Sequence, residues 1–432
     1  MGKMKSALFM TVGLGGKDQD KIDSLAHGML DTIVEGNFDY VVLFGSEQSK
    51  STIKSLKRQY IEKFNDNPND ENLNEFDYYE FVQNDDVNDF NQYYETIRSK
   101  ILELEDDYII KINYTPGTKT MSISAAIASL VFRKKLRLID GDRGNGTTVI
   151  KGTEKHVDFG LYIVYDEVLI KRIRKYFNYN HFASGKLLIN DLTSENHDKQ
   201  DYDDLFNAYL NWDNVNFEEA LKYLSGLNSK FPELSAQLSL NLTALNIINR
   251  EVPIKKDGVV IDYKPHDEQC YYKLASIINN AERRFDEKRY DDAIARLYRS
   301  LELISQIKLN EYGIKTDDVD INILLKHDVS EDFISRLKNK IDNKGIIKSA
   351  LVSNYQMLYE LNDDLGVYFN TNKSKFIGQL ESRNKSIFAH GLESKTKEDY
   401  LKFKKTVLEV ANILHENMDK YLNETKFPKF NI

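Results

Sequence analysis

The chain has 432 residues and a formal net charge of −9, with 41% hydrophobic and 11% aromatic residues, enough for about two or three domains with sizeable cores and not a disordered chain. Cys270 is the single cysteine, which excludes an intrachain disulfide framework and a multi-cysteine zinc site. The acidic balance excludes a protein that coats nucleic acid by bulk charge, so any such contact is local and made through small basic patches.

Lys5 to Val12 reads as an apolar strand ending in Gly13-Leu14-Gly15-Gly16, and a helix is predicted from Gln19 to Val34. Asp39 to Phe44 is a second strand, after which Gly45-Ser46-Glu47-Gln48-Ser49 opens a helix to Phe64. Residues 65–76, rich in Asn, Asp and Glu, read as a loop. A third strand is expected from Tyr78 to Val82, a helix from Val87 to Leu104, and a strand from Tyr108 to Asn113. A glycine-containing turn then leads to an apolar helix from Met121 to Arg133 and a strand from Leu136 to Asp140. Residues 142–146 read as a tight turn and 147–151 as a hairpin return. Strands alternating with helices predict a largely parallel sheet with helices on both faces over residues 1–155.

Residues 156–264 read as a linking helical region, with helices at Asp166–Tyr176, Tyr202–Trp212, Asn216–Leu224 and Leu234–Ile248 and a strand near Lys186–Ile189. Val252 to Pro265 reads as a polar connection with two prolines, a natural boundary. Over residues 265–432 helix dominates. Ile294, Leu297, Leu301 and Ile304 repeat at three and four, a core-facing stripe. Similar runs occupy Ile346–Tyr368, Lys375–Ala389 and Lys397–Tyr421 and predict an α-helical bundle. No apolar run of about 18 residues and no signal-peptide pattern is present, so a soluble cytoplasmic protein without membrane association is expected.

Two constellations can carry chemistry. Asn113-Tyr114-Thr115-Pro116-Gly117-Thr118-Lys119-Thr120-Met121-Ser122 follows a strand and precedes a helix. That places backbone N–H groups, hydroxyls and one lysine at the carboxyl edge of a parallel sheet, where nucleotides and phosphates bind. Gly13-Leu14-Gly15-Gly16 and Ser46 to Ser49 should line the same edge. The plainer alternative is three ordinary turns with capping hydroxyls. No Walker A loop and no GxGxxG occurs, so an ordinary dinucleotide or ATP site is not indicated.

The second constellation is Arg383, Asn384 and His390. Arg383 and His390 are seven positions apart in a predicted helix, almost two turns, so both side chains should project from one face. An arginine can hold a phosphate while an imidazole moves a proton, which suits cleavage of an RNA phosphodiester without metal. The alternative is a surface arginine with a helix-capping histidine before Gly391. Arg299 and Glu302 either form a surface pair or, with Arg296, support the Arg383 site. Arg133, Lys134, Lys135 and Arg137 read as a solvated helix end. The remaining histidines have no metal spacing, and no metal or cofactor is expected.

Taken together, these pieces resemble the CARF–HEPN ribonucleases that accompany type III CRISPR systems. The Asn113–Ser122 segment looks like the CARF loop, a strand followed by a Thr/Gly-rich turn, Lys and Met. Arg383-Asn384 with His390 is similar to the HEPN pattern of Arg, a polar residue and a histidine after four to six residues, and residues 290–302 look like the helix that opens the HEPN domain. Pro116 departs from the pattern, standing where many CARF loops carry a second glycine and removing one N–H donor. The resemblance implies a Rossmann-like CARF sensor (1–155), a helical linker (156–264) and a HEPN bundle (265–432). It also implies a homodimer whose two CARF domains bind a cyclic oligoadenylate, with the tetramer slightly favoured over the hexamer.

On this resemblance Lys119 neutralises phosphate and Thr115, Thr118 and Ser122 bond phosphate or ribose. Gly13, Leu14, Gly15, Asn113, Gly117 and Met121 complete the loop edge, and Ser46 and Ser49 meet adenine or ribose. His390 is the implied acid/base, Arg383 the phosphate stabiliser and Asn384 the orienting group. They cut single-stranded RNA through the 2′-hydroxyl to a 2′,3′-cyclic phosphate. Alternatives are a non-catalytic sensor, whose helical half mediates dimerisation or partner binding, and a CARF domain that also degrades its activator. Stable DNA binding is not expected.

Overall fold

Among the described residues six strands form one sheet: β1 (Lys5–Val12), β2 (Tyr40–Gly45), β3 (Tyr79–Gln83), β4 (Tyr108–Asn113), β5 (Lys135–Asp140) and β6 (Lys155–Phe159). Their order is β3-β2-β1-β4-β5-β6, with β1 to β5 parallel and β6 antiparallel to β5. The structure is a computed structural model describing residues 4–14, 16, 18–64, 79–142, 149–150, 152–193, 196, 198–256, 259–388 and 391–432.

The sheet is covered by α1 (Gln19–Gly36), α2 (Lys50–Phe64), α3 (Phe90–Leu104) and α4 (Lys119–Val131). Side chains alternate across a strand, so β1 feeds two cores. Leu8, Met10 and Val12 pack with Ala26, Met29, Leu30 and Ile33 of α1 and Ile53 and Leu56 of α2. Ala7 and Phe9 pack on the opposite face with Tyr93, Ile97 and Ile101 of α3 and Met121, Ala125 and Ala128 of α4. A strand buried on both faces reads as a continuous apolar run, which is what Ala7–Met10 provides. Each large side chain removed from water there contributes about 1.5–3 kcal/mol.

Mainly helical segments follow β6 in chain order. They include α5 (Tyr162–Asn178), α6 (Phe182–Asn190), α7 (Lys199–Asp213), α8 (Phe217–Leu224), α9 (Ser235–Asn249) and a hairpin of β7 (Glu251–Lys256) and β8 (Val259–Pro265). The C-terminal helices are α10 (Gln269–Asp286), α11 (Tyr290–Glu311), α12 (Ile321–Leu324), α13 (Glu331–Lys338), α14 (Leu351–Glu360), α15 (Asp364–Thr371), α16 (Lys373–Asn384), α17 (Lys397–Leu414) and α18 (Met418–Glu424). The chain divides into two compact units, Met1–Leu169 with Thr193–Asn196, and Ile170–Leu192 with His197–Ile432. In the second unit Ile294, Leu297, Leu301 and Ile304 are all buried, as their spacing requires. Phe177, Phe182, Phe206, Tyr209, Trp212, Phe427 and Phe430 form a connected aromatic core.

Several local expectations are corrected. The antiparallel return to the sheet among the described residues is β6; residues 147, 148 and 151 of the expected hairpin lie outside them. The segment Lys186–Ile189 is helical, within α6, because Phe182, Gly185 and Ile189 are the buried positions and their spacing is that of a helix. Val252–Pro265 is a β-hairpin, and Pro253 is tolerated because a two-stranded ribbon has only edge strands. The run Ile346–Tyr368 is split into α14 and α15 at Asn362, which takes the left-handed conformation (φ 56°). The run Lys397–Tyr421 is split at His415. The turn at 143–146, the loop at 65–76, Gly15 and His390 lie outside the described residues.

Candidate functional site

At the carboxyl edge of the first unit, the loops after β1, β2 and β4 meet. The Gly13 N–H donates to the Pro116 carbonyl at 2.7 Å, and a Cβ on Gly13 would lie 2.5 Å from that oxygen. Gly13 is therefore required by close backbone approach, and Pro116 contributes through its carbonyl what it lacks as a donor. A Cβ on Gly117 would meet Thr11 Oγ1 at 2.5 Å. Asn113 is fully buried and its Oδ1 accepts from the Thr115 N–H at 2.9 Å, an Asx-type turn that starts the loop. Thr115 Oγ1 accepts from the Ile139 N–H at 3.0 Å, and Ser122 Oγ donates to the Tyr114 carbonyl at 2.8 Å.

Thr118 caps α4, its Oγ1 accepting from the Met121 N–H, and Met121 is buried in the sheet core. Ser49 is buried and its hydroxyl donates to the Val12 carbonyl at 2.6 Å, so it holds the β1 and β2 loops together. Ser46 is half-buried beside it, Oγ to Oγ 3.3 Å. Leu14 is half-buried and Lys119 is exposed. Among the described residues no carboxylate pairs with Lys119. The edge thus sorts its residues: Gly13, Ser49, Asn113, Thr115, Gly117, Met121 and Ser122 build the loops, while Lys119 and Thr118 stand at the first turn of α4, where backbone N–H groups and the helix dipole favour an anion.

In the second unit the helix carrying Arg383 is shorter than the sequence predicts. α16 ends at Asn384, with Lys385 as its cap. The returning chain explains the stop: the Gly391 N–H donates to the Ser386 carbonyl at 3.2 Å and the Glu393 N–H to the Lys385 carbonyl at 3.0 Å. A Cβ on Gly391 would fall 2.0 Å from the Lys385 oxygen. The expectation that one continuous helix carries Arg383 and His390 is corrected, because α16 ends at Asn384 and the residues from Lys385 to Phe388 have left the helix, while His390 lies outside the described residues.

Arg383 itself is well placed. Its guanidinium carbon sits 4.2 Å from the centre of the Tyr298 ring on α11, a cation–π contact, and its Nη1 donates to Asn384 Oδ1 at 3.3 Å. Burial raises the Tyr298 hydroxyl above its ordinary pKa, which keeps that ring neutral under the cation. Arg383 lines a cavity of about 450 Å³ with Lys375, Lys402 and Lys405. The acid there is Asp399, which is occupied as the α17 capping group by the Thr396 N–H and hydroxyl at 3.0 and 2.9 Å. Lys375 is paired with Glu409 at 3.5 Å, and Arg383, Lys402 and Lys405 leave the cavity net positive in an acidic chain.

Two family models match the chain, and the Arg383 cavity lies within one of them. The Csm6 HEPN domain spans residues 264–414 and the Csm6 6H domain residues 165–246, together more than half of the sequence. The chain belongs to the Csm6 family of CARF–HEPN proteins of type III CRISPR systems. A solved structure of Csm6 from Enterococcus italicus, described as bound to cyclic hexa-2′-fluoro-hexa-dAMP, matches it with a TM-score of 0.65. The match covers 95% of each chain at 11% identity, a likeness of fold. No curated protein sequence matches the chain. The parallel sheet in Rossmann order is the CARF part of this Csm6 fold, and the helical bundle its HEPN part.

Within the Csm6 HEPN segment, the three candidate supporting residues separate. Arg299 is exposed and pairs along its own helix with Glu302 at 3.4 Å and Gln306 at 3.0 Å, the surface-pair reading. Arg296 bonds Asp292 and Asn280, and burial followed by the neighbouring Arg284 pushes it down to about 10. It belongs to a charge cluster with Asp213, Arg283 and Arg284, not to Arg383. Tyr298, Lys375, Lys402 and Lys405 were missed by sequence reasoning. Their signal was present, since Lys375, Gly378, Gln379, Ser382 and Arg383 recur at three and four along α16 and Lys402 and Lys405 three apart on α17. Among the described residues no helix is long and apolar enough to cross a membrane, and no cluster of His, Cys, Asp and Glu could hold a metal ion.

Proposed function

We propose that the chain is a single-stranded RNA endoribonuclease switched on by a cyclic oligoadenylate. The observation that carries this reading is the Arg383 cavity. Four cations surround a space large enough for a nucleotide and its phosphate, inside the segment that matches the Csm6 HEPN domain. The ribose 2′-oxygen attacks the adjacent phosphorus, the bond to the 5′-oxygen breaks, and the products are a 2′,3′-cyclic phosphate and a 5′-hydroxyl. Arg383 stabilises the charge that develops on the phosphoryl oxygens, and His390 moves the proton at the attacking or leaving oxygen. Asn384 orients Arg383. No step requires a metal ion.

The sensor half of the proposal is a homodimer. Ile123, Ile127 and Val131 repeat every four residues along α4 and are 56, 38 and 52% exposed, an apolar stripe on the helix that Lys119 begins. Two copies joined along this stripe bring both Lys119 turns to one two-fold axis, which suits a cyclic ligand with two-fold symmetry. The ligand then favours the dimer arrangement in which the paired HEPN sites are aligned, a differential affinity between two states.

The test is cleavage of a labelled single-stranded RNA in EDTA with cyclic tetra-adenylate, cyclic hexa-adenylate or neither. The sequence reading leans to the tetramer and the Enterococcus italicus structure is described as bound to a cyclic hexanucleotide analogue, so both are needed. Cleavage with one ring and its loss in His390→Ala, with ring affinity unchanged, is the expected result. Ring binding without cleavage by either would replace the nuclease with a non-catalytic sensor.

A further inference from the structure

Two adjoining cavities in the second unit share Asn180, His181 and Glu287. The larger, about 790 Å³, lies between the end of α5, the α10–α11 turn and the C-terminal segment, and the smaller is about 430 Å³. Neither shares a lining residue with the Arg383 cavity. Lys175, Lys288 and Lys429 line the larger one, and all three are exposed. Among the described residues none of these lysines is ion-paired. Glu287 is already held by Arg284 and Arg289, each at 3.2 Å, and Asp213, which lines the smaller cavity, by Arg283 and Arg284, which leaves Asp286 as the remaining side-chain carboxylate of the two cavities.

Aromatic rings stand at the same lip. Tyr179 is 58% exposed, and the His181 ring lies 6.2 Å from it and 6.0 Å from Tyr176. Asn180 and Lys288 both take the left-handed conformation, at φ 61° and 62°, so two tight turns present these groups. Unpaired ammonium groups spaced along a groove, next to exposed flat rings, are the chemistry that holds a single polynucleotide strand: cations track phosphates and rings stack on bases.

We propose that this groove is a track for single-stranded RNA, separate from the Arg383 cavity, which holds substrate away from the scissile phosphate. The proposal deepens the nuclease reading and rests on it for the choice of RNA over DNA. The groove forms between residues of the 6H segment (Lys175, Tyr179, His181) and of the HEPN segment (Lys288), so it assigns the 6H helices a part in substrate binding.

The experiment measures anisotropy of a labelled single-stranded RNA on Arg383→Ala protein, which binds without cutting, with a DNA of the same sequence in parallel. The combined Lys175→Ala, Lys288→Ala and Lys429→Ala substitutions should weaken RNA binding at least about tenfold and lower the slope of log affinity against log salt by about two. Tyr179→Ala should weaken it severalfold and leave that slope unchanged. Photocrosslinking with thiouridine RNA should mark Tyr179 or its neighbours, and unchanged Trp212 fluorescence will show that the variants fold. Binding of the triple variant equal to its parent, or no RNA binding by the parent, overturns the proposal. Equal affinity for DNA overturns the choice of RNA. In protein that retains Arg383, the lysine substitutions should slow cleavage of long RNA while sparing a dinucleotide. RNA bound in the groove without cleavage under any activator would defeat the nuclease reading and leave the groove in place.

Discussion

The Arg383 guanidinium lies over the Tyr298 ring, 4.2 Å from its centre, and this contact joins α16 to α11 at the cationic cavity. Arg383 is held from one side by a ring, its Nη1 donates to Asn384, and its Nε is buried without a hydrogen-bond partner among the described residues. Stacking of this kind is worth about 0.5–2 kcal/mol and restricts a side chain that otherwise samples many rotamers.

Tyr298 is therefore a positioning residue, and Tyr298→Ala should lower the single-turnover cleavage rate about tenfold. Tyr298→Phe keeps the ring and should stay within about twofold of wild type. Arg383→Ala should cost about 10²- to 10³-fold in the same assay. Equal losses in the Ala and Phe variants would show that the hydroxyl, not the stack, matters.

Gly391→Ala tests the chain's return over the end of α16. The added methyl would sit 2.0 Å from the Lys385 oxygen, so the loop between Lys385 and Gly391 must move. Cleavage should fall at least about tenfold with little change in global unfolding, since a misplacement of about 1 Å is enough for such losses. Normal activity would mean that this loop does not set the geometry of the site.

Among the described residues Lys119, at the first turn of α4, has no ion-pair partner. Lys119→Ala should raise the activator concentration for half-maximal cleavage about tenfold, the loss of one charge-assisted contact. The rate at saturating activator should be unchanged. An unaltered titration curve would remove Lys119 from the ligand site.

The α4 stripe predicts the assembly. Ile127→Asp puts a carboxylate in the middle of Ile123, Ile127 and Val131 and should shift sedimentation velocity from dimer to monomer. Activator-dependent cleavage should fall with the dimer fraction. A variant that remains dimeric would place the interface elsewhere.

Asp213 holds Arg283 and Arg284 at 2.8 and 2.5 Å, and all three side chains are at least 90% buried. Asp213→Ala leaves the buried Arg283 without its carboxylate and Arg284 with Glu287 alone at 3.2 Å, and should destabilise the second unit by about 3–5 kcal/mol. Trp212, the sole tryptophan, is the adjacent residue and reports the shift in urea denaturation. A change below about 1 kcal/mol would mean that water or another acid replaces it.

Sequence periodicity located the sheet well because buried parallel strands are short apolar runs between turn residues. β1 and β4 begin and end where the pattern ends. The stripe on α11 was legible for the same reason. β6 was not: Lys155-His156-Val157-Asp158-Phe159 lies at the sheet margin, carries charges and shows no long apolar run. α6 was misread because a short apolar run fits either period. At the Arg383 site the residue types were legible and the geometry was not. Helix propensity continues past Asn384, and only the tertiary return through Gly391 ends α16 there. Tyr298 and the lysines of α16 and α17 come together through packing between helices distant in sequence, which local pattern cannot express.

The last described turn of the chain has a further consequence. Asn178 and Phe430 exchange two hydrogen bonds of 2.8 Å, and Phe427 and Phe430 plug the aromatic core around Phe177, Tyr209 and Trp212. Residues 165–246 carry one family segment and residues 264–414 another, yet the hydrophobic seal of the first comes from beyond the end of the second. The two segments are not interchangeable modules. A chimera that imports the 6H helices of a relative must import that relative's closing aromatic tail as well, and substitutions in either are constrained to change together.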